Sequence, residues 1–148
     1  MTQVFDIDTE EHMLALGQAF AAALTTPTSV HLTGDLGAGK TTFVRGVIQG
    51  LGCDDAVVSP TYTLVEEYLT PTGTAHHLDL YRIAQPEDVE SLAIRDRFDS
   101  QSIVLIEWPE RAADRLPEPQ WRVQIAYADA GRRVGISARD GQRLDIHL

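Results

Sequence analysis

Gly34-Asp35-Leu36-Gly37-Ala38-Gly39-Lys40-Thr41 satisfies the pattern G-x-x-x-x-G-K-[ST] at every fixed position. Glycines let a backbone reach positive φ and turn successive N–H groups toward one point. That point lies at the start of the helix expected from Lys40, where unpaired N–H groups and the helix dipole favour an anion. Lys40 then reaches the β- and γ-phosphates of a nucleotide, the Thr41 hydroxyl holds Mg²⁺, and Thr42 hydrogen-bonds the α-phosphate. The chain has eleven arginines and a single lysine, and that lysine is Lys40. A compact ammonium is needed where a planar guanidinium does not fit.

The loop has the surroundings the motif requires. Ser29 to Thr33 reads as a strand before it. Phe43, Val44, Val47, Ile48 and Leu51 mark one face of a helix after it, closed by Gly50 or Gly52. Upstream, Val4 to Ile7 reads as an edge strand. An amphipathic helix follows through Leu16, Phe20, Ala23 and Leu24, started by Asp8 with Glu11 or by Thr9, and ended by Pro27. Downstream, a strand around Tyr62 to Tyr68, a turn at Thr70 to Gly73 and a strand from His77 to Tyr81 suggest a hairpin. Pro86 opens a helix through about Ile94. Ile103 to Ile106 is a continuous apolar run, expected of a strand buried on both faces. Trp121 to Tyr127, Arg133 to Ala138 and Arg143 to Leu148 read as late strands. These elements predict an α/β fold, a three-layer P-loop NTPase-like sandwich with a mixed, mostly parallel central sheet.

Composition limits the partners. At 148 residues, one domain spanning 1–148 is expected. A chain of this length buries roughly 68–70% of its unfolded surface, enough to fold without disulfides. Its 12 basic and 22 acidic residues leave a net charge of −10, which argues against direct capture of nucleic acid. One cysteine, Cys53, excludes an internal disulfide and a Cys-rich zinc site. Met1 to Asp8 has no signal-peptide pattern, and no apolar run approaches the roughly 18 residues of a membrane span. A cytoplasmic protein without membrane partners is the expectation.

A second acid is expected near the phosphates. In Ile103-Val104-Leu105-Ile106-Glu107 the carboxylate falls where a buried strand leaves the core, beside the phosphate loop. Glu107 is therefore the first candidate to bind Mg²⁺, directly or through water, or to orient an attacking water. Asp79, in His77-Leu78-Asp79-Leu80-Tyr81-Arg82, is the second; a structural bond to a backbone N–H or to Arg82 is its alternative role. His76 and His77 do not form a zinc site with Asp79, because adjacent strand residues point to opposite faces. Ser59-Pro60-Thr61-Tyr62-Thr63 is either a switch segment reaching the γ-phosphate or a plain turn. Trp108 is either a packing residue or an anchor for a partner.

Taken in order, Gly34 to Thr42, Ser59 to Leu64, His77 to Arg82 and Ile106-Glu107-Trp108-Pro109-Glu110 resemble the bacterial ATPase family TsaE. The match spans roughly half the chain. The resemblance implies an ATPase that serves tRNA threonylcarbamoyladenosine formation with two proteins, a threonylcarbamoyltransferase subunit and its paralogous scaffold subunit. ATP binding and hydrolysis would reset that complex between turnovers, with tRNA met only indirectly. Carried over, Thr41 and Glu107 are the Mg²⁺ ligands, Gly37 to Thr42 the phosphate loop and Asp79 a switch-region acid. Lys40, Glu107 and Asp79 form the catalytic set. Thr9 and Arg132 are the candidates beside the adenine.

Two other readings remain open. A small-molecule kinase needs an acceptor pocket and an Arg-rich lid, for which Arg95 and Arg97 are the only compact candidates. A nucleotide-gated binding module would use ATP occupancy alone, with incidental hydrolysis. A GTPase is excluded, since its guanine-recognition segment needs a second lysine.

Overall fold

The computed structural model describes residues 1–53 and 64–148. Among the described residues seven strands form one sheet: β1 (Gln3–Ile7), β2 (Thr28–Thr33), β3 (Val65–Thr70), β4 (Gly73–Asp79), β5 (Ser102–Glu107), β6 (Trp121–Ala128) and β7 (Gly131–Ala138). Their order is β1-β7-β6-β2-β5-β4-β3. The central four, β6, β2, β5 and β4, run parallel; β1 on β7, β7 on β6 and β3 on β4 are antiparallel. The sheet is thus parallel at its centre and mixed overall.

Helices α1 (Glu10–Ala21) and α2 (Lys40–Gly50) pack on one face. They cross closely because Gly17 and Gly46 lack side chains. A Cβ at Gly17 would lie 2.3 Å from the Phe43 carbonyl oxygen, and one at Gly46 would lie 2.2 Å from that of Leu14. Phe20 of α1 packs edge-on against Trp121 of β6, ring centroids 5.1 Å apart, and tilted against Phe43 of α2 at 5.6 Å. This crossing fixes α2, and with it the phosphate loop, over the carboxyl end of β2. Thr9, rather than Asp8, caps α1 by accepting from the His12 N–H at 3.0 Å; Asp8 bonds the His12 ring instead.

On the opposite face, Leu78, Val104 and Ile106 pack under short 3-10 turns at Pro86–Leu92, Ile94–Arg97 and Pro109–Ala112. This completes three layers. The helix expected from Pro86 to about Ile94 is a 3-10 turn that stops at Leu92, because Ala93 takes a left-handed conformation with φ 53°. The strand expected at His77 begins at Gly73, where pairing of Thr70 with Gly73 extends the β3–β4 hairpin.

The strand expected from Arg143 to Leu148 does not form. The Gln3 side-chain amide takes its place in the backbone pairing. Gln3 Nε2 donates to the Leu144 carbonyl at 3.1 Å, and the Leu144 N–H donates to Gln3 Oε1 at 2.6 Å. Leu144 is buried and Ile146 packs on the same core without a ladder.

Candidate functional site

Parallel register carries the charged residues to one edge. Leu32, next to the end of β2, pairs with Glu107 at the end of β5, and Glu107 pairs with Asp79 at the end of β4. On β5, Glu107 shares a face with Ile103 and Leu105 of the α1/α2 core. His77 and Asp79 share that face through Ala75. The phosphate loop leaves β2 on the same side. Gly37 and Gly39 hold φ of 80° and 116°, and Gly39 caps α2 in the left-handed region, so Lys40 is the first residue of the helix.

Lys40 is buried to 4% exposure. Its ammonium donates to the Gly34 carbonyl and, at 3.0 Å, to that of Asp35. It also lies 4.4 Å from the centroid of the Trp108 ring. Burial pulls its pKa down, against the charges of Glu107, Asp79, Glu110 and Asp35. A phosphate at the loop would replace these carbonyls as the ammonium's acceptor.

The Thr41 hydroxyl donates toward Glu107, 3.2 Å from Oε2 and 3.5 Å from Oε1. Glu107 is 3% exposed and also meets His77, whose Nε2 lies 2.5 Å from Oε2. A hydroxyl and a carboxylate converging at the start of a helix are the hard oxygen donors Mg²⁺ takes, so these residues fit that ion. Asp79 lies beside Glu107 and is half-buried. Its Oδ1 accepts from the Tyr81 N–H at 3.1 Å, the structural bond weighed from the sequence. Burial pushes its carboxyl above the ordinary range, opposed by the Tyr81 N–H and reinforced by the charge of Glu107.

Thr9 and Arg132 come together from the two ends of the chain. They line a cleft of about 350 Å³ with Met13, Gly37, Gly39 and Thr42. Ile7 and Arg132 are register partners, so the β1–β7 pairing builds this wall. Arg132 Nε donates to the Ala38 carbonyl at 3.0 Å, and the guanidinium stacks 4.2 Å from the Tyr127 ring centroid. Tyr127 Oη donates to the Leu36 carbonyl at 3.1 Å. The β6–β7 hairpin thereby ties down both arms of the loop.

The sequence reading missed His77, Tyr81, Arg111 and Tyr127. Tyr81 and Trp108 stack with centroids 4.9 Å apart, and the Arg111 guanidinium lies over both rings at 5.2 and 5.7 Å. Trp108 itself takes φ 58°, a turn its sequence does not announce. His77 was legible in principle, because it stands two residues before Asp79 and so shares its face. Its neighbour His76 points the other way, 3.1 Å from Ser102 Oγ, as the alternation of strand residues requires. Among the described residues no three His, Cys, Asp or Glu side chains are grouped as metal ligands.

Arg97 is not the free lid residue a kinase would need. It pairs with Glu67 at 2.6 Å and donates to the Leu92 carbonyl. Ser59 to Thr63 lies outside the described residues. Among the described residues, no helix is long and apolar enough to cross a membrane.

A parallel-centred sheet with a glycine-rich loop running into α2 defines a P-loop NTPase-like protein. A family model described as threonylcarbamoyl adenosine biosynthesis protein TsaE matches residues 7–134. The chain belongs to the TsaE family. The tRNA threonylcarbamoyladenosine biosynthesis protein TsaE of Haemophilus influenzae is 46% identical over 138 residues, covering 90% of this chain and 87% of the relative. That of a Nostoc species is 40% identical over 137 residues, covering 90% and 83%. A crystal structure of Bacillus subtilis YdiB superimposes with a TM-score of 0.75 at 30% identity, covering 93% of this chain and 86% of the other.

Proposed function

We propose that this chain is an ATPase of tRNA threonylcarbamoyladenosine formation, acting as one domain through a single Mg-ATP site. One observation carries the reading: Lys40, Thr41 and Glu107 converge at the start of α2, with Thr41 Oγ1 3.2 Å from the carboxylate. The amides of Gly37 to Thr42 cradle the phosphates and Lys40 neutralises the β- and γ-oxygens. Thr41 and Glu107 would hold Mg²⁺, which when bound would draw charge from the phosphate oxygens. Thr9 and Arg132 border the adenine. Asp79, half-buried beside Glu107, is the switch-region acid, and either it or Glu107 positions the attacking water.

Membership of the family supports a role in threonylcarbamoyladenosine biosynthesis. The finer role is to reset a complex of the threonylcarbamoyltransferase and its paralogous scaffold subunit by nucleotide turnover. A net charge of −10 supports protein partners rather than direct tRNA capture, and a cytoplasmic location suits that pathway. Arg132 is held by the Ala38 and Gly131 carbonyls, and the sequence shows no arginine finger, so the isolated chain should hydrolyse ATP slowly.

The test is Mg²⁺-dependent ATP binding and hydrolysis, with and without the two partners. Binding of Mg-ATP, slow turnover alone and loss of binding in Lys40→Ala support the reading. A chain that ignores ATP with Mg²⁺ and both partners present overturns it.

A further inference from the structure

Two adjacent histidines on β4 end in different chemistry. His76 joins the peripheral network of Ser102, Arg97 and Glu67. His77 faces α2, is fully buried at 0% exposure, and makes its one described side-chain bond to Glu107. A buried carboxylate is held in place only if its lone pairs are satisfied. Glu107 Oε2 is both the oxygen 2.5 Å from His77 Nε2 and the one nearer Thr41. His77 Nδ1 meets no partner among the described residues, so no second bond competes for the ring's orientation.

Building on the Mg-ATP site proposed above, we infer that His77 is a positioning residue for the cation site. With the carboxylate as acceptor, this bond requires the hydrogen on Nε2, donated to Oε2. Fixing Oε2 from below turns the remaining lone pairs of Glu107 toward Thr41. His77 has no described bond to Lys40, Thr41 or the loop backbone, so it acts through Glu107. Ligating carboxylates are commonly held by such outer partners, and their loss typically lowers metal affinity about 10- to 100-fold.

His77→Leu keeps the bulk and removes the donor; His77→Gln keeps a donor near the Nε2 position. The readout is the Mg²⁺ concentration that half-saturates nucleotide binding, measured by calorimetry rather than turnover. His77→Leu should raise it about 10- to 100-fold and His77→Gln restore it to within about threefold. Nucleotide affinity without metal should move less than about twofold, since no phosphate contact is removed. A folded His77→Leu protein with wild-type Mg²⁺ dependence overturns the inference, as does a folded His77→Gln protein that fails like Leu.

Imidazole ¹⁵N spectra of the nucleotide-free wild type give an independent measure, available even if His77→Leu does not fold. The Nε2–H tautomer is expected, with its signal shifted in Glu107→Gln. An Nδ1–H tautomer overturns the bond. Wild-type protein without any Mg²⁺-dependent nucleotide binding instead overturns the ATPase reading, while the spectrum still judges the His77–Glu107 bond.

Discussion

The parallel strands open onto a cleft at each of their two edges, and the larger cleft is on the side away from the phosphate loop. At the carboxyl edge, about 350 Å³ is enclosed by Gly37, Gly39, Thr42, Thr9 and Arg132. At the amino edge, Thr28, Ser102 and Trp121, the first residues of their strands, line about 410 Å³ with Asp99, Glu118 and Arg139. Both are polar. The carboxyl edge alone receives the start of α2, the loop amides and the buried Lys40. At the amino edge Ser102 is already bonded to Asp99 at 2.7 Å and Arg139 to the Glu118 carbonyl at 3.3 Å. A helix start and a buried lysine, rather than volume, distinguish the carboxyl edge from a surface hollow.

Glu107→Ala should give the largest difference between the edges. It should lower ATP turnover about 10²- to 10³-fold, the cost of losing a group that acts on developing charge. Nucleotide binding should survive, with a raised Mg²⁺ requirement. If this variant supports full multi-turnover tRNA modification, hydrolysis is incidental and the binding-module reading replaces the ATPase.

His31 tests the sheet face remote from the loop. Burial first, then the positive charge of Arg122, lowers its pKa from 6.5 to about 4, with Glu118 opposing. The folded state favours the neutral ring, so this stability is fully present above pH 6.5 and is lost as pH falls toward 4. The loss should reach on the order of 2 kcal/mol. Denaturant midpoints at pH 7.5 and 4.5 should differ less in a folded His31→Gln variant than in wild type. An equal pH dependence in both would assign the acid loss to other groups.

Arg132→Ala probes the wall of the smaller cleft. It removes the guanidinium bond to the Ala38 carbonyl and should raise the KM for ATP about 5- to 10-fold with little change in kcat. A fall in kcat at constant KM would place Arg132 at the reacting phosphate instead. The smallest effect belongs to the amino edge. Glu118→Gln should change ATP affinity and turnover less than about twofold, as surface substitutions away from a site do. A larger loss would mean that the two clefts communicate.

The phosphate loop was legible because its chemistry is local. Gly34 to Thr41 needs only neighbouring backbone conformations and the helix that follows. Glu107 was legible from a four-residue apolar run, which announces a buried strand and therefore where its next carboxylate emerges. The strand expected at Arg143 to Leu148 failed for a non-local reason. Gln3, 141 residues away, supplies the hydrogen bonds a ladder would have made. The helix after Pro86 failed because Ala93 adopts a backbone state that alanine does not advertise.

The order of residues along the chain therefore specified the glycine-rich loop, its lysine and the acid at the end of β5, since each depends on contacts within a few positions. Strand order and register settled what stands beside them: His77 under Glu107, Asp79 alongside it, and Arg132 against Thr9. Those neighbours are far apart in sequence, and nothing in their local composition encodes which strand edge they will share.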